Sequence, residues 1–388
     1  MPTVPLASHT IAFMSAPIDD RPTFRVIDAN LNRAREALRV MEDYSRFVLD
    51  DATLARAIKE ARHTLAAAIA DGLGASDSRV TAESLIRTRD IVGDVGQDIK
   101  TNTETTRSDA HAVAVAAAKR LSEALRSIEE FGKTIDPGFA QAIERLRYAG
   151  YEIERRLAIT AQTRERFARV KLYVVITESL CRGDWLKTAR AAIDGGADCL
   201  QLREKNLPCR ELLDRAKRLA ELCHNRGTLF IVNDRPDIAV LSGANGVHLG
   251  QDDMPIAAAR RIFSPTAIVG VSTHTIEHVR TAIEQVPDYI AVGPMFPSAT
   301  KPQQHIAGPA TLVQACSLTG LALVAIGGID ATNVEQVLNA ASCTICVCSA
   351  VITQPDPAAA CKRLRAIIDR QMASKTESQT VCPIESDC

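Results

Sequence analysis

The chain carries two hydrophobic periods in succession. From Val26 to about Ile159 apolar positions return at helical spacing. Ile27, Leu31, Ala34, Leu38, Met41 and Leu49 gather on one side of a helix expected to start near Asp28. Opposite them, Asp28, Asn32, Arg35, Arg39, Asp43 and Arg46 fall within an arc of about 80° at 3.6 residues per turn. A second helix is predicted from Asp51 to about Ala70, with Gly72 and Gly74 as its stop. From Lys171 the pattern changes to short β-branched runs separated mostly by helix-sized segments. The runs are 172–176, 199–202, 229–232, 246–249, 267–271, 289–292, 321–326 and 344–347. Eight strands alternating with helices predict an α/β fold, a (β/α)₈ TIM barrel, preceded by an all-α domain. An open doubly wound sheet is the alternative, and it explains a count of eight less well.

The helical half repeats itself. Glu36-Ala-Leu-Arg39-Val-Met-Glu42-Asp-Tyr44 returns as Glu123-Ala-Leu-Arg126-Ser-Ile-Glu129-Glu-Phe131, and Ala57-Ile-Lys-Glu-Ala-Arg62 matches Ala142-Ile-Glu-Arg-Leu-Arg147. Two helical hairpins from a duplicated unit, packed as a bundle, follow from this. Between the copies lies an irregular segment, Leu73 to Ser108, holding Arg87-Thr-Arg89-Asp90-Ile-Val-Gly-Asp94-Val-Gly96. A loop of that length inside a compact bundle is uncommon and often functional. The expected organisation is a disordered leader (1–23), the all-α domain (24–165), the barrel (170–371) and a polar, disordered tail (372–388).

Charge narrows the partners. With 46 basic against 47 acidic residues and a net charge of -1, nothing argues for nucleic acid or a membrane surface. No run of 18 apolar residues occurs, and Met1 to Pro22 lacks a basic start followed by an apolar core, so a cytoplasmic protein acting on small molecules is expected. A homo-oligomer stays open. Eleven cysteines, an odd count without framework spacing, fit reduced thiols. Cys343, Cys346 and Cys348 include a C-x-x-C, but they fall on a predicted buried strand with no histidine or second cysteine pair nearby. Packing explains them better than metal.

In a barrel of this kind the chemistry sits just after the strands, on one rim. There the second strand ends in Gln201, Arg203 and Lys205, two apart and therefore on one side, which suits a highly charged anion such as pyrophosphate. Asn233-Asp234 follows the third strand and Gly250-Gln251-Asp252-Asp253 the fourth. Asp234 and Asp253 are placed to meet around Mg²⁺ together with a substrate phosphate. Asp252 is the alternative ligand, and a helix-capping role is the alternative for Asp234. Ser272-Thr-His274 follows the fifth strand. Gly327-Gly328 after the seventh and Cys348-Ser349 after the eighth suit a phosphate cradle of backbone N–H groups, unless they are two ordinary turns. His248 points inward on the fourth strand, as a core or supporting residue rather than a base.

Residues 171 to about 369 resemble thiamine-phosphate synthase. The matching stretches are Gln201-Leu-Arg-Glu-Lys205, Val-Asn233-Asp234, His248-Leu-Gly-Gln-Asp-Asp253, Gly-Val-Ser272-Thr-His, Gly-Pro-Met-Phe-Pro-Ser298-Ala-Thr300-Lys301 and Ile-Gly-Gly328-Ile. The resemblance implies condensation of 4-amino-2-methyl-5-hydroxymethylpyrimidine diphosphate with a thiazole phosphate, giving thiamine phosphate and pyrophosphate. It further implies that Gln201, Leu202, Arg203, Glu204, Lys205, Asn233, Ser272 and Lys301 hold the pyrimidine diphosphate. Asp234 and Asp253 would hold Mg²⁺, and Ser298, Ala299, Thr300, Gly328, Cys348 and Ser349 the thiazole phosphate. Ser298 stands where threonine is frequent, and Cys348 where an aliphatic residue is common. A thiazole tautomerase on the same scaffold is the rival reading. It would need a phosphate cradle and a base but no pyrophosphate site.

Residues 25 to about 160 resemble a domain fused to some of these synthases and assigned as a hydroxymethylpyrimidine-phosphate kinase. The resemblance rests on 26–43 and on Arg89-Asp-Ile-Val-Gly-Asp-Val-Gly96. It implies ATP as co-substrate, although no Walker-type glycine loop is present. Asn32, Arg35, Arg39 and Asp43, with Arg89, Asp90 and Asp94 from the irregular segment, are the candidate phosphate and Mg²⁺ residues. A non-catalytic oligomerisation module is the alternative.

Overall fold

The stripe that begins at Ile27 is buried almost without exception, and it starts earlier than its first aliphatic residue. Phe24, three positions before Ile27, is also buried, so helix α1 spans Arg21–Phe47 rather than starting near Asp28. In the computed structural model, which describes residues 20–74, 82–89, 106–264, 266–298 and 305–380, α1 and α2 (Ala52–Gly74) form the first hairpin. A short helix, α3 (Ala82–Arg87), falls within the segment expected to be irregular. The second hairpin is α4 (Ala110–Gly132) and α5 (Pro137–Ala168). Asp109 caps α4 by accepting the Ala112 N–H at 2.8 Å. Inside this hairpin the Arg147 Nε donates to Glu129 Oε2 at 2.7 Å, with both side chains under a tenth exposed.

The described residues sort into two units, one within Met1–Met41 and Ile58–Glu152, the other within Glu42–Ala57 and Ile153–Cys388. The second unit therefore contains more than the barrel. The tip of the first hairpin belongs to it, where Asp50 accepts the Gly320 N–H at 2.7 Å. So does the end of α5, where the Thr163 hydroxyl donates to Asp288 Oδ1 at 2.9 Å.

The barrel itself alternates β1 (Leu172–Ile176), α6 (Trp185–Asp194), β2 (Cys199–Leu202), α7 (Cys209–His224), β3 (Leu229–Asn233), α8 (Pro236–Ser242) and β4 (Gly246–Leu249). It continues with α9 (Ile256–Ile262), β5 (Ile268–Thr273), α10 (Ile276–Glu284), β6 (Tyr289–Val292) and α11 (Gly308–Cys316). The last elements are β7 (Ala322–Ile326), α12 (Val334–Ala340), β8 (Thr344–Val347), α13 (Ser349–Ile352) and α14 (Pro357–Thr380). All eight strands are parallel and close in sequence order, so the sheet has no edge.

Period-two alternation splits the strand residues between two cores. Leu172, Val174, Ile176, Leu200 and Leu202 face the helices, whereas Tyr173, Val175, Cys199, Ile231, Tyr289 and Cys346 fill the barrel interior. Cys343 belongs to the outer core and Cys346 to the inner one, so the C-x-x-C thiols do not converge. The interior is closed from the amino-terminal end of the strands by Phe167 and Val170, at and just after the end of α5. Tyr289 can lie across the barrel because β5 has glycine opposite it. A Cβ at Gly270 would stand 1.9 Å from the Tyr289 Cζ.

α14 runs through Thr380, past the expected start of a disordered tail at Met372. Polarity suggests disorder, yet Met372–Thr380 contains no proline or glycine to end a helix already nucleated on α12 and α6. Leader residues 1–19 and tail residues 381–388 lie outside the described residues. Among the described residues no helix is long and apolar enough to cross a membrane.

Candidate active site

The strands deliver their carboxyl ends to one rim, and alternation decides which side chains reach it. Gln201 points into the barrel, 4% exposed, its Nε2 donating to the Tyr173 hydroxyl at 2.7 Å. Arg203 lines the cavity at this rim. Leu202 and Glu204 do not. Leu202 packs in the helix layer, while Glu204 Oε1 accepts the Glu178 N–H at 2.7 Å and faces Arg215 at 3.5 Å. The reading of 201–205 as one binding stretch thus needs correcting for these two side chains, because every second residue of an extended chain faces the opposite way.

Lys205 forms an ion pair with Asp234 Oδ2. Asp234 has a φ of 62° and donates its N–H to the His248 carbonyl at 2.8 Å, which sets it beside the loop after β4. From that loop Asp253 accepts the Gly250 N–H at 2.6 Å and lies within hydrogen-bonding reach of Asp234. Burial first, and the Asp234 carboxylate second, hold the Asp253 carboxyl above the usual carboxylate range, with Lys205 pulling the other way. Asp252 is exposed. Two hard oxygen donors that repel each other unless a cation joins them are a donor set suited to Mg²⁺. Among the described residues no group of three or more histidine, cysteine, aspartate or glutamate side chains gathers as a complete metal cage. Substrate oxygens and water would complete such a shell.

A cavity of about 430 Å³ opens beside this cluster. It is lined by Gln201, Arg203, Asn233, His248 and Ser272 from β2 to β5, and by Ser298, Gly327, Gly328, Cys348 and Ser349 that follow β6 to β8. Gly328 is held at a φ of 69°, and a Cβ there would sit 2.5 Å from the Phe296 carbonyl oxygen. Only glycine lets this turn pass beneath the β6 loop and keep its backbone against the cavity. Asn333 Nδ2 donates to the Gly328 carbonyl at 2.8 Å, fixing the turn. Ala299, Thr300 and Lys301 lie outside the described residues.

Below the cavity floor runs a buried hydrogen-bonded chain. Tyr173 and Tyr289 hydroxyls are 3.2 Å apart, Tyr289 Oη is 2.9 Å from His248 Nδ1, and His248 Nε2 is 2.8 Å from Ser272 Oγ. Burial drives both phenols well above their ordinary value, so both keep their protons, and it pushes the His248 imidazole down to about 4. His274 donates Nδ1–H to the Gly293 carbonyl at 2.6 Å, which fixes its ring in the cavity wall. His305 in the cavity wall and the two tyrosines behind it are residues that the sequence does not single out. The signal available for the tyrosines is an aromatic residue at an inward position of a predicted strand.

In the helical unit Asp28 is buried, and Arg89 clamps it with Nε and Nη2, each at 2.7 Å. Asn32 is half-buried, and Arg35 and Arg39 are exposed. Asp43, half-buried, is counted with the other unit. Asp90 and Asp94 lie outside the described residues.

Comparison with known proteins covers both halves. Residues 172–351 match the thiamine monophosphate synthase family, and residues 25–156 match the ThiD2 family. A thiamine-phosphate synthase of Rhodopirellula baltica is 38% identical over 383 residues, spanning 95% of this chain and 99% of its own. One from Nostoc sp. is 37% identical over 86% of this chain and 91% of its own. Among solved structures, a thiamine phosphate pyrophosphorylase from Pyrococcus furiosus is 34% identical, with a TM-score of 0.50, covering 54% of this chain and 99% of that one. Because the likeness extends through the helical half as well as the barrel, the whole chain, a transferase, belongs to the thiamine-phosphate synthase family.

Proposed function

We propose that the barrel joins 4-amino-2-methyl-5-hydroxymethylpyrimidine diphosphate to a thiazole phosphate, releasing pyrophosphate and leaving thiamine phosphate. The observation that carries this is the convergence of Lys205, Asp234 and Asp253 beside a cavity that a glycine turn also lines. A tautomerase would have no use for that cluster. Asp234 and Asp253 would hold Mg²⁺, which when bound offsets negative charge on the diphosphate. Arg203 and Lys205 supply fixed positive charge where the leaving group gathers electrons, and Lys301 is assigned the same role.

The step breaks the bond between the exocyclic methylene carbon and the diphosphate oxygen, and the electron pair leaves with pyrophosphate. The electron-rich aminopyrimidine stabilises the cation left on the methylene. The thiazole nitrogen then gives its lone pair to that carbon, so no protein nucleophile takes part. Gln201, Asn233 and Ser272 orient the pyrimidine. Ser298, Gly328, Cys348 and Ser349 hold the thiazole phosphate, with Ala299 and Thr300 assigned beside them, so that the nitrogen is presented at close range.

For the helical domain we assign ATP-dependent phosphorylation of the pyrimidine monophosphate, which would supply the barrel's substrate. The ThiD2 match supports it. Giving the full chain pyrimidine monophosphate, thiazole phosphate, ATP and Mg²⁺ tests both halves, since thiamine phosphate forms only if both work. Pyrophosphate release from preformed pyrimidine diphosphate tests the barrel alone.

A further inference from the structure

Ser272 and Gln201 both face the cavity, Ser272 tied to His248 in its wall and Gln201 to Tyr173 behind it. The Gln201 amide donates to Tyr173, and the contacts are all satisfied in one direction when Tyr173 donates to Tyr289 and Tyr289 to His248 Nδ1. A neutral imidazole that accepts at Nδ1 carries its hydrogen on Nε2, where it donates to Ser272 Oγ. The Ser272 proton is then left for the cavity. The state of this hydroxyl depends on where the Tyr289 ring stands.

That ring is gripped from the other end of the barrel. Phe167, wholly buried at the end of α5, stacks on it with centroids 3.9 Å apart and planes 2° from parallel. Tyr173 meets its edge at 6.2 Å, and Gly270 leaves the space its tip occupies. The same helix holds the base of β6, through the Thr163 hydroxyl on Asp288, next to Tyr289.

We propose that Phe167 is a positioning residue for the reaction at the opposite mouth of the barrel: stacked on Tyr289, it keeps the phenol against His248 and so keeps the Ser272 hydroxyl turned into the cavity. Phe167 touches no substrate and acts through three side chains. The inference rests on the reading that Ser272 orients the pyrimidine diphosphate. It makes the helix that enters the barrel part of the active site's construction rather than a linker.

The test uses the full chain and steady-state pyrophosphate release, with each substrate varied. Phe167→Leu keeps an apolar filling but loses the flat stack, and Tyr289→Phe keeps the stack but loses the hydroxyl. Each is expected to lower kcat about tenfold, the scale of one lost internal hydrogen bond, with KM for thiazole phosphate within about twofold of the parent. The double variant should fall no further than the slower single one, because both break one chain. His248→Gln can still place an N–H near Nε2, whereas His248→Asn reaches only toward Tyr289. The asparagine variant should therefore be the slower by about fivefold. Phe167→Met, which refills the volume, replaces the leucine variant if that one does not fold. Parental kcat in Phe167→Leu and Tyr289→Phe while Ser272→Ala is slow would overturn the positioning role and leave the proposed reaction standing. Multiplying losses in the double variant would overturn it too. Parental turnover in Ser272→Ala would instead remove the assignment of Ser272, and this inference with it.

Discussion

Replacing Gly328 by alanine tests the phosphate cradle through the backbone alone. The residue sits at a φ of 69°, where an L side chain costs about 1–2 kcal/mol. The added Cβ would lie 2.5 Å from the Phe296 carbonyl oxygen and 2.7 Å from that of Pro297, against 3.4 Å for ordinary contact. Both obstacles are backbone, so the β6 loop must give way by several tenths of an ångström, and that loop leads into Ser298. Displacements approaching 1 Å in a positioning loop cost on the order of 10²-fold in rate. We therefore expect KM for thiazole phosphate to rise ten- to a hundredfold, on the order of that scale. KM for pyrimidine diphosphate should rise less, because all its assigned residues except Lys301 lie on or just after β2, β3 and β5 rather than after β6. The thermal midpoint should drop by about 4–8 °C for roughly 2 kcal/mol lost in a domain of this size. The assay is pyrophosphate release with one substrate saturating and the other varied. An unchanged KM for thiazole phosphate in folded Gly328→Ala protein, or equal losses for both substrates, would refute the cradle.

Lys205→Ala and Asp234→Ala should each lower turnover by about 10²-fold or more, the scale of a removed charge-stabilising group, while circular dichroism stays native. Near-parental turnover in both would end the pyrophosphate assignment. Stability should fall as pH drops from 6.5 toward 4, because His248 has its proton affinity depressed to about 4 when folded and takes up a proton on unfolding. The loss at pH 5 is about 2 kcal/mol of a stabilisation fully present above 6.5, read by denaturant titration across pH. His248→Gln should flatten that limb, and an identical limb in this variant would assign the proton elsewhere. Arg89→Ala should slow ATP-dependent use of pyrimidine monophosphate about tenfold or more, since it removes a bidentate clamp. Pyrophosphate release from supplied diphosphate should not change. A parallel loss in both assays would mean that Arg89 serves folding rather than phosphorylation.

Much of the site is legible in the chain alone, for a reason visible in β2. A strand buried on both sides needs apolar residues at nearly every position, so Gln201, Arg203 and Lys205 after Cys199-Leu200 can only mark its end and the rim. The same logic locates Asn233-Asp234, Ser272 and the Gly327-Gly328 turn. It fails for Leu202 and Glu204, because a contiguous motif does not say which of its members face inward. It also fails for the tail, where polarity reads as disorder although nothing stops the helix.

What the chain determines by itself is local in origin: helical spacing before Ile159, strand spacing after Lys171, the duplicated hairpin, and polar residues at strand ends. Each follows from periodicity and from the cost of burying an unpaired polar group. Contacts between residues far apart in sequence are decided only by closure of the barrel. Closure sets Asp253 rather than Asp252 beside Asp234, gives the tip of the first hairpin to the barrel's unit, and lays Phe167 on Tyr289, from a helix that precedes the first strand to the start of the sixth. Such pairings depend on how strands tilt and which side chains fill a shared interior, and no one-dimensional pattern records either.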